Sequence, residues 1–309
     1  AICIILAAGF SQLERDLERL RYGGGQSSTS DAANDRDAEK AHAQLAGLPK
    51  ALLPVADEPM LDHWWKYVSH NRAISEVFIV SNALKYKHFE RWATAKGLAM
   101  NHVINTGATS ASNSRGVLRD VQLGIRRAQQ TLGSIEGRDV IVFAGDTLFF
   151  RDFDLDRILS FRAHKGGSLM LYYGKQQARD NPSQRGMCQV DAQTSQVLHF
   201  AEKPKPGSLG HDFPFVSPLF YILDPAAWSQ IAAYTEAKVA EGSVSGAFSF
   251  GRFVEFALNE LHLPFWGMRM PGTFFLIGAE AGYEEYRELN ACFRRQPGIG
   301  SGDARHARR

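Results

Sequence analysis

Four charged side chains stand where apolar or stiffened sequence surrounds them. Asp146 follows the apolar run VIVFAG. Lys50 lies in GLPKALLPV between two prolines. Glu202 and Lys203 precede the proline-stiffened turn of AEKPKPG. A carboxylate at the exit of a buried strand can offer oxygens to a hard cation, chiefly Mg2+; it can also simply cap the next turn. A lysine beside buried hydrophobes brings a compact positive charge suited to a polyphosphate, or it snorkels from a strand edge. Glu202 could grip sugar hydroxyls while Lys203 grips a phosphate, or the two form an exposed ion pair worth little. Ala7, Ala8 and Gly9 in LAAGFS are small where the first apolar run must turn. Backbone N–H groups there can approach a phosphate or a planar base, although a tight β–α turn is the plainer reading. The stretch is neither the dinucleotide pattern G-x-G-x-x-G nor a phosphate loop ending in G-K-[ST]. No Ser-His-acid set stands out.

These residues need a frame to hold them. Ile2–Leu6, Val77–Val80, Val140–Phe143 and Leu169–Tyr173 are continuous apolar runs, the pattern of strands covered on both faces. Helices are expected at Met60–His70, Lys85–Ala95, Val117–Leu132 and Leu155–His164. Later ones are expected at Pro225–Ala240, Phe250–Leu261 and Ala281–Phe293. In the third, Leu118, Val121, Ile125, Ala128 and Leu132 recur at three and four, which makes one apolar stripe. Strands spaced by helices predict an α/β fold with a mostly parallel sheet and ligands beyond the carboxyl ends of its strands. Residues 185–203 read as a local antiparallel hairpin.

The 309 residues are 44% hydrophobic, enough for a substantial core. A net charge of +2 and the lack of a basic stripe argue against nucleic acid. No apolar run reaches membrane-spanning length. Three widely separated cysteines suggest neither a disulfide framework nor a zinc site, and point to a reducing, cytoplasmic setting. One domain is expected over 1–293, with a flexible tail at 294–309. Residues 12–46 form a long inserted loop, expected to be mobile, in which LERDLERLR could form a short charged helix; an ordering lid is the sharper alternative. The chain begins at Ala1 without Met, so upstream sequence that was removed or that lies in a larger parent polypeptide is expected, and a homo-oligomer is open.

Taken in order, IILAAGFS, LPKALLPVADEPMLDH, VFIVSN, SRGVLRDV, VIVFAGDTLFF, RGMCQVD, FAEKPKPG and FFLIGAEAGYEEYREL closely resemble the sugar-nucleotide pyrophosphorylases, a family of sugar-1-phosphate nucleotidyltransferases. The resemblance covers nearly everything from Ile2 to about Asn290. It implies a Rossmann-like three-layer α/β/α fold and a reaction between a nucleoside triphosphate and a sugar 1-phosphate, with Mg2+. Ala8 and Gly9 would face the nucleotide, with Gly116 and Asn105 near the base. Lys50 would contact the triphosphate or the sugar phosphate, and Asp146 would hold the cation. Gly186 would let the sugar approach backbone, Glu202 would bind its hydroxyls and Lys203 its phosphate. Lys50, Asp146 and Lys203 are the catalytic set so implied.

Four departures from the family pattern stand out. Ser11, Gln12 and Leu13 occupy the places where LAAGxGTR carries its Arg, so that Arg15, Arg19 or Arg21 would have to supply the guanidinium. Leu276 stands where many relatives have a second metal Asp, with Glu280 close by in sequence. Ser217-Pro218 replaces a common Thr-Gly, and the insertion lengthens the loop over the triphosphate. Two of these losses bear on phosphate charge. They therefore leave open a catalytically degenerate homologue acting as a regulatory or structural partner.

Overall fold

The computed structural model describes residues 1–22, 39–149, 152–175, 182–205, 208, 213–243, 248–272, 274–276 and 281–295. Residues 23–38 of the expected mobile loop, nearly all of the tail and Glu280 lie outside them. In chain order the strands are β1 (Ile2–Ala7), β2 (Pro54–Val55), β3 (Glu58–Pro59), β4 (Glu76–Ser81), β5 (Val103–Asn105), β6 (Val140–Ala144), β7 (Thr147–Phe149) and β8 (Ser168–Gly174). They continue with β9 (Gly186–Val190), β10 (Val197–Glu202), β11 (Phe215–Ser217), β12 (Phe220–Leu223), β13 (Phe265–Arg269) and β14 (Phe274–Leu276). The helices are α1 (Gln12–Tyr22), α2 (Met60–Val68), α3 (Tyr86–Ala95), α4 (Val117–Leu132), α5 (Leu155–Lys165), α6 (Pro225–Trp228), α7 (Gln230–Ala240), α8 (Phe250–Asn259) and α9 (Tyr283–Arg294). Contacts group the chain into two compact units.

The first unit comprises residues 1–8, 67–144 and 150–273. It holds one ten-stranded sheet in the order β10-β9-β11-β8-β12-β6-β1-β4-β5, with β13 beside β8. The run β5-β4-β1-β6 is parallel throughout. Beyond it β12 runs antiparallel to both β6 and β8, and β9, β10 and β11 are antiparallel to their neighbours. Parallel pairing is thus concentrated in β5-β4-β1-β6, with β13 also parallel to β8, and the expected hairpin is the β9–β10 pair. Ile2, Cys3, Ile4 and Ile5 are fully buried, as a strand sandwiched between helices requires. The α4 stripe of Leu118, Val121, Ile125 and Ala128 packs in the same cluster as Ile2, Ile4, Phe78 and Val142. Each large aliphatic side chain so buried contributes about 2 kcal/mol. Asp154, Asp224 and Ser249 cap α5, α6 and α8 by accepting from Arg157, Ala227 and Arg252 N–H. The single helix expected over Pro225–Ala240 divides at Ser229, whose own backbone is still helical.

The second unit comprises residues 9–66, 145–149 and 274–309. The charged helix expected within the insertion is α1, and its Leu13 and Leu17 are completely buried. Asp16 on α1 accepts the Tyr283 N–H at the start of α9 (3.2 Å), and Asn290 on α9 accepts the Ala56 N–H (3.0 Å). β7 pairs antiparallel with β14, with Thr147 opposite Leu276. No helix among the described residues is long and apolar enough to cross a membrane.

Candidate active site

In the second unit the sheet-exit carboxylate meets the proline-flanked lysine. Lys50 begins a short 3-10 turn after Pro49, whose extended backbone (φ −59°, ψ 141°) sets the direction of entry. The Lys50 ammonium lies 2.6 Å from an Asp146 carboxylate oxygen, with the lysine side chain 9% and the aspartate 30% exposed. The Lys50 backbone N–H donates to the Glu14 carboxylate (2.7 Å), so α1 holds the lysine from the backbone side. Asp146 falls in the turn between β6 and β7. Across the β7–β14 ladder, the position that matches the relatives' second metal Asp is Leu276, opposite the residue that follows Asp146. Among the described residues no group of three or more His, Cys, Asp and Glu could hold a metal ion. The Asp146 carboxylate has the Lys50 ammonium as its partner.

The arginines of α1 have partners within their own helix, Arg21 lying over the Tyr22 ring at 5.7 Å. Arg15 donates to the Gln12 side-chain oxygen (3.1 and 2.7 Å), and Arg19 pairs weakly with Asp16 at 3.5 Å. Leu13, at the family's Arg position, is a core residue of its unit.

In the first unit, Ala8 and Asn105 stand at the ends of the parallel strands β1 and β5 and Gly116 precedes α4, while Gly9 belongs to the second unit. The Ala8 carbonyl accepts a hydrogen bond from the buried Asn82 side chain (3.0 Å), and Asn82 in turn accepts the Lys85 N–H (3.1 Å). The turns after β1 and β4 are thereby locked together. Asn105 uses its side-chain oxygen on the Gly107 N–H two residues on (2.9 Å), a local turn rather than an outward-reaching amide. Gly116 caps α4 with φ +93°, and a Cβ there would come 2.8 Å from Phe248 Cβ. Glycine is required there on both counts. Arg119 lies over the Phe248 ring at 4.1 Å.

The sugar-side residues line up across three strands, because Gly186 on β9 pairs with Glu202 on β10 and with Ser217 on β11. A Cβ at Gly186 would come 2.6 Å from the Phe200 ring and 3.3 Å from a Glu202 carboxylate oxygen. Glu202 is only 8% exposed. Burial pushes its carboxyl above the ordinary range, opposed by Lys203 and by a hydrogen bond with Ser249. Gly251, the second residue of α8, makes room for it: a Cβ there would overlap the carboxylate at 1.9 Å. Glu202 thus sits at the first turn of α8, where the helix dipole favours an anion. Lys203 is exposed and takes a left-handed backbone (φ +49°), its N–H donating to the Arg185 carbonyl at 3.0 Å. Ser217 spends its hydroxyl on the Tyr221 hydroxyl (2.9 Å) and the Leu171 carbonyl (3.3 Å).

The family model for nucleotidyl transferases matches residues 46–249, more than half of the chain. The chain belongs to the nucleotidyl transferase family. Solved structures agree at the level of fold. A candidate glucose-1-phosphate thymidylyltransferase from Bacillus anthracis, in complex with sucrose, matches with a TM-score of 0.60 at 16% identity, covering 96% of each chain. A CMP:2-keto-3-deoxy-manno-octonic acid synthetase complexed with CTP matches at 0.54 and 14% identity, over 95% of this chain and 98% of its own. An inositol-1-phosphate CTP transferase from T. maritima matches at 0.55 and 10% identity, over 95% and 96%. No curated protein sequence matches the chain. Within this nucleotidyl transferase, reading the sequence alone did not find Asn82, Glu14 and Gly251. Asn82 carried one signal, a polar residue immediately after the apolar run VFIVS.

Proposed function

We propose that the chain transfers a nucleotidyl group from a nucleoside triphosphate to a sugar 1-phosphate, giving a nucleotide sugar and pyrophosphate. The observation that carries this reading is the Lys50–Asp146 pair, a nearly buried ammonium against a strand-end carboxylate in a nucleotidyl transferase family chain. Asp146 would hold Mg2+. The fit is chemical: Mg2+ keeps several waters and takes one or two carboxylates plus substrate phosphates, so a single aspartate suffices on the protein side. When bound, the cation supplies neutralisation of phosphate charge.

The chain's own residues do the rest. A sugar-phosphate oxygen attacks the α-phosphorus, the bond to the β-phosphate oxygen breaks, and pyrophosphate departs on the far side. Both reactants are anionic, so positioning and charge are most of the work. Lys50 neutralises triphosphate or sugar-phosphate oxygens, and Lys203 binds the sugar phosphate. Glu202 accepts from sugar hydroxyls, with Gly186 letting the ring approach backbone. Ala8, Gly9 and Gly116 present backbone to the nucleotide. Such a reaction suits a cytoplasmic, reducing setting in which Cys3 and Cys188, both buried, remain thiols.

The test is pyrophosphate release across a panel of triphosphates and sugar 1-phosphates with Mg2+. Turnover with at least one pair is expected, and silence across the panel from folded protein would refute the reading. A second reading, a catalytically degenerate regulatory homologue, draws on the buried Leu13 and on Leu276 opposite Thr147. It expects ligand binding that is independent of Mg2+, which calorimetry with and without the cation distinguishes.

A further inference from the structure

Asp120 has no place in the scheme above, yet its position calls for a partner. It lies in the first turn of α4 and is only 8% exposed; its backbone N–H donates to the Gly116 carbonyl (3.2 Å), but its carboxylate makes no hydrogen bond or ion pair with any described residue. Burial alone pushes its carboxyl up to about 7, with no neighbouring charge or donor offsetting it. The carboxylate oxygens are not wholly enclosed, so donors of a ligand arriving from solvent can reach them.

Helix and strand geometry locate it. Gly124, one turn further along α4, packs so closely on β1 that a Cβ there would come 2.8 Å from Ile4 Cγ2. As the crossover between the parallel strands β5 and β6, α4 runs back along the sheet. A rise of about 1.5 Å per residue sets Asp120 roughly 6 Å nearer the carboxyl end of β1 than Gly124. That is abreast of Leu6, which shares the face of Ile4 by strand alternation and stands just before Ala8 at the exit of β1. Ala8 and Gly116, the two backbone points assigned to the nucleotide, flank this level. All of these residues belong to one compact unit.

We infer that Asp120 reads the nucleobase of the triphosphate and selects guanine. This rests on the proposed nucleotidyl transfer. An ionised carboxylate is acceptor-only, with two oxygens able to take parallel donors. Guanine presents two adjacent donors on its pairing edge, the ring N1–H and the 2-amino group. Adenine and cytosine set one amino group beside a ring-nitrogen acceptor. In uracil and thymine the N3–H lies between two carbonyls, and one of these would oppose the second carboxylate oxygen. The ribose diol is the other donor pair on such a ligand, and it is common to all four triphosphates.

Calorimetric titration of the full chain with GTP, ATP, CTP and UTP in Mg2+, repeated on Asp120→Asn, decides the matter. The substitution keeps shape while turning one acceptor into a donor, and thermal unfolding confirms that the variant folds. Wild type is expected to bind GTP at least about tenfold more tightly than the others. The variant is expected to lose about tenfold or more for GTP, with the rest within about twofold. A wild type without GTP preference, or a variant that retains it, overturns the inference while nucleotidyl transfer stands. Equal weakening for all four assigns Asp120 to the ribose and likewise overturns base selection. Failure of wild type to bind any triphosphate removes the transfer reading itself.

Discussion

Asp146 and Lys50 make the strongest local claim, because their opposite charges lie 2.6 Å apart. Asp146→Asn keeps the shape and removes the charge. It is expected to lower the rate of pyrophosphate release by roughly 100-fold or more, the scale of losing one aimed charge in a site. A variant within about threefold of wild type would show that the pair is only structural. Lys203 holds a left-handed backbone that costs a non-glycine residue about 1–2 kcal/mol. Lys203→Gly should therefore raise stability to urea by about 1 kcal/mol while impairing use of the sugar phosphate; a loss of stability would count against that account.

Asp120 makes a prediction with pH. Burial raises its carboxyl to about 7 from the ordinary aspartate value of 3.8, so the folded chain keeps a proton that the unfolded chain has already lost. The resulting stability is fully present below about 4 and is lost as pH rises through about 7. Asp120→Asn is expected to match wild type near pH 4 and to be the more stable protein at pH 8, by up to roughly 4 kcal/mol. A gap in urea unfolding that does not change with pH would contradict this.

Secondary structure was largely legible from periodicity. The stripe of α4 and the continuous apolar runs of β1, β4 and β6 state their partners' geometry within a few residues of sequence. Less was legible where one element shapes another. Gly251 lies within an ordinary amphipathic helix, and nothing local shows that Glu202 fills the space beside it. Gly251→Ala is expected to destabilise by about 1–3 kcal/mol through overpacking. Glu202→Ala in the same chain should remove most of that cost, because the two changes share one space. Additive losses in urea unfolding would show that the carboxylate can move aside. In α1, the charged surface read from LERDLERLR is correct, but the buried Leu13 and Leu17 and the Asp16–Tyr283 contact are what hold the helix.

At the scale of the whole molecule, ligand and fold share one equilibrium. A triphosphate at about 100 times its dissociation constant, with Mg2+, should stabilise the chain by about 2.7 kcal/mol. Thermal unfolding with and without the cation measures this, and the Mg2+-dependent part should vanish in Asp146→Asn. An unchanged midpoint under saturating ligand would contradict the proposed chemistry.

The order of apolar strands and striped helices, together with LAAG, LPK, AGD and EKP, determined the α/β class, the nucleotidyl transferase family and the identity of the charged candidates. Burial and chain reversal are written in local residue type and spacing, which is why these were readable. Tertiary structure alone decided that Lys50 neutralises Asp146, that Leu276 pairs with Thr147, that Glu202 fills the space beside Gly251 and that the Asp120 carboxylate has no partner among the described residues. Each of those facts is a distance, or the lack of one, between groups remote along the chain. Such distances are set by how elements pack, which residue type and local spacing do not encode.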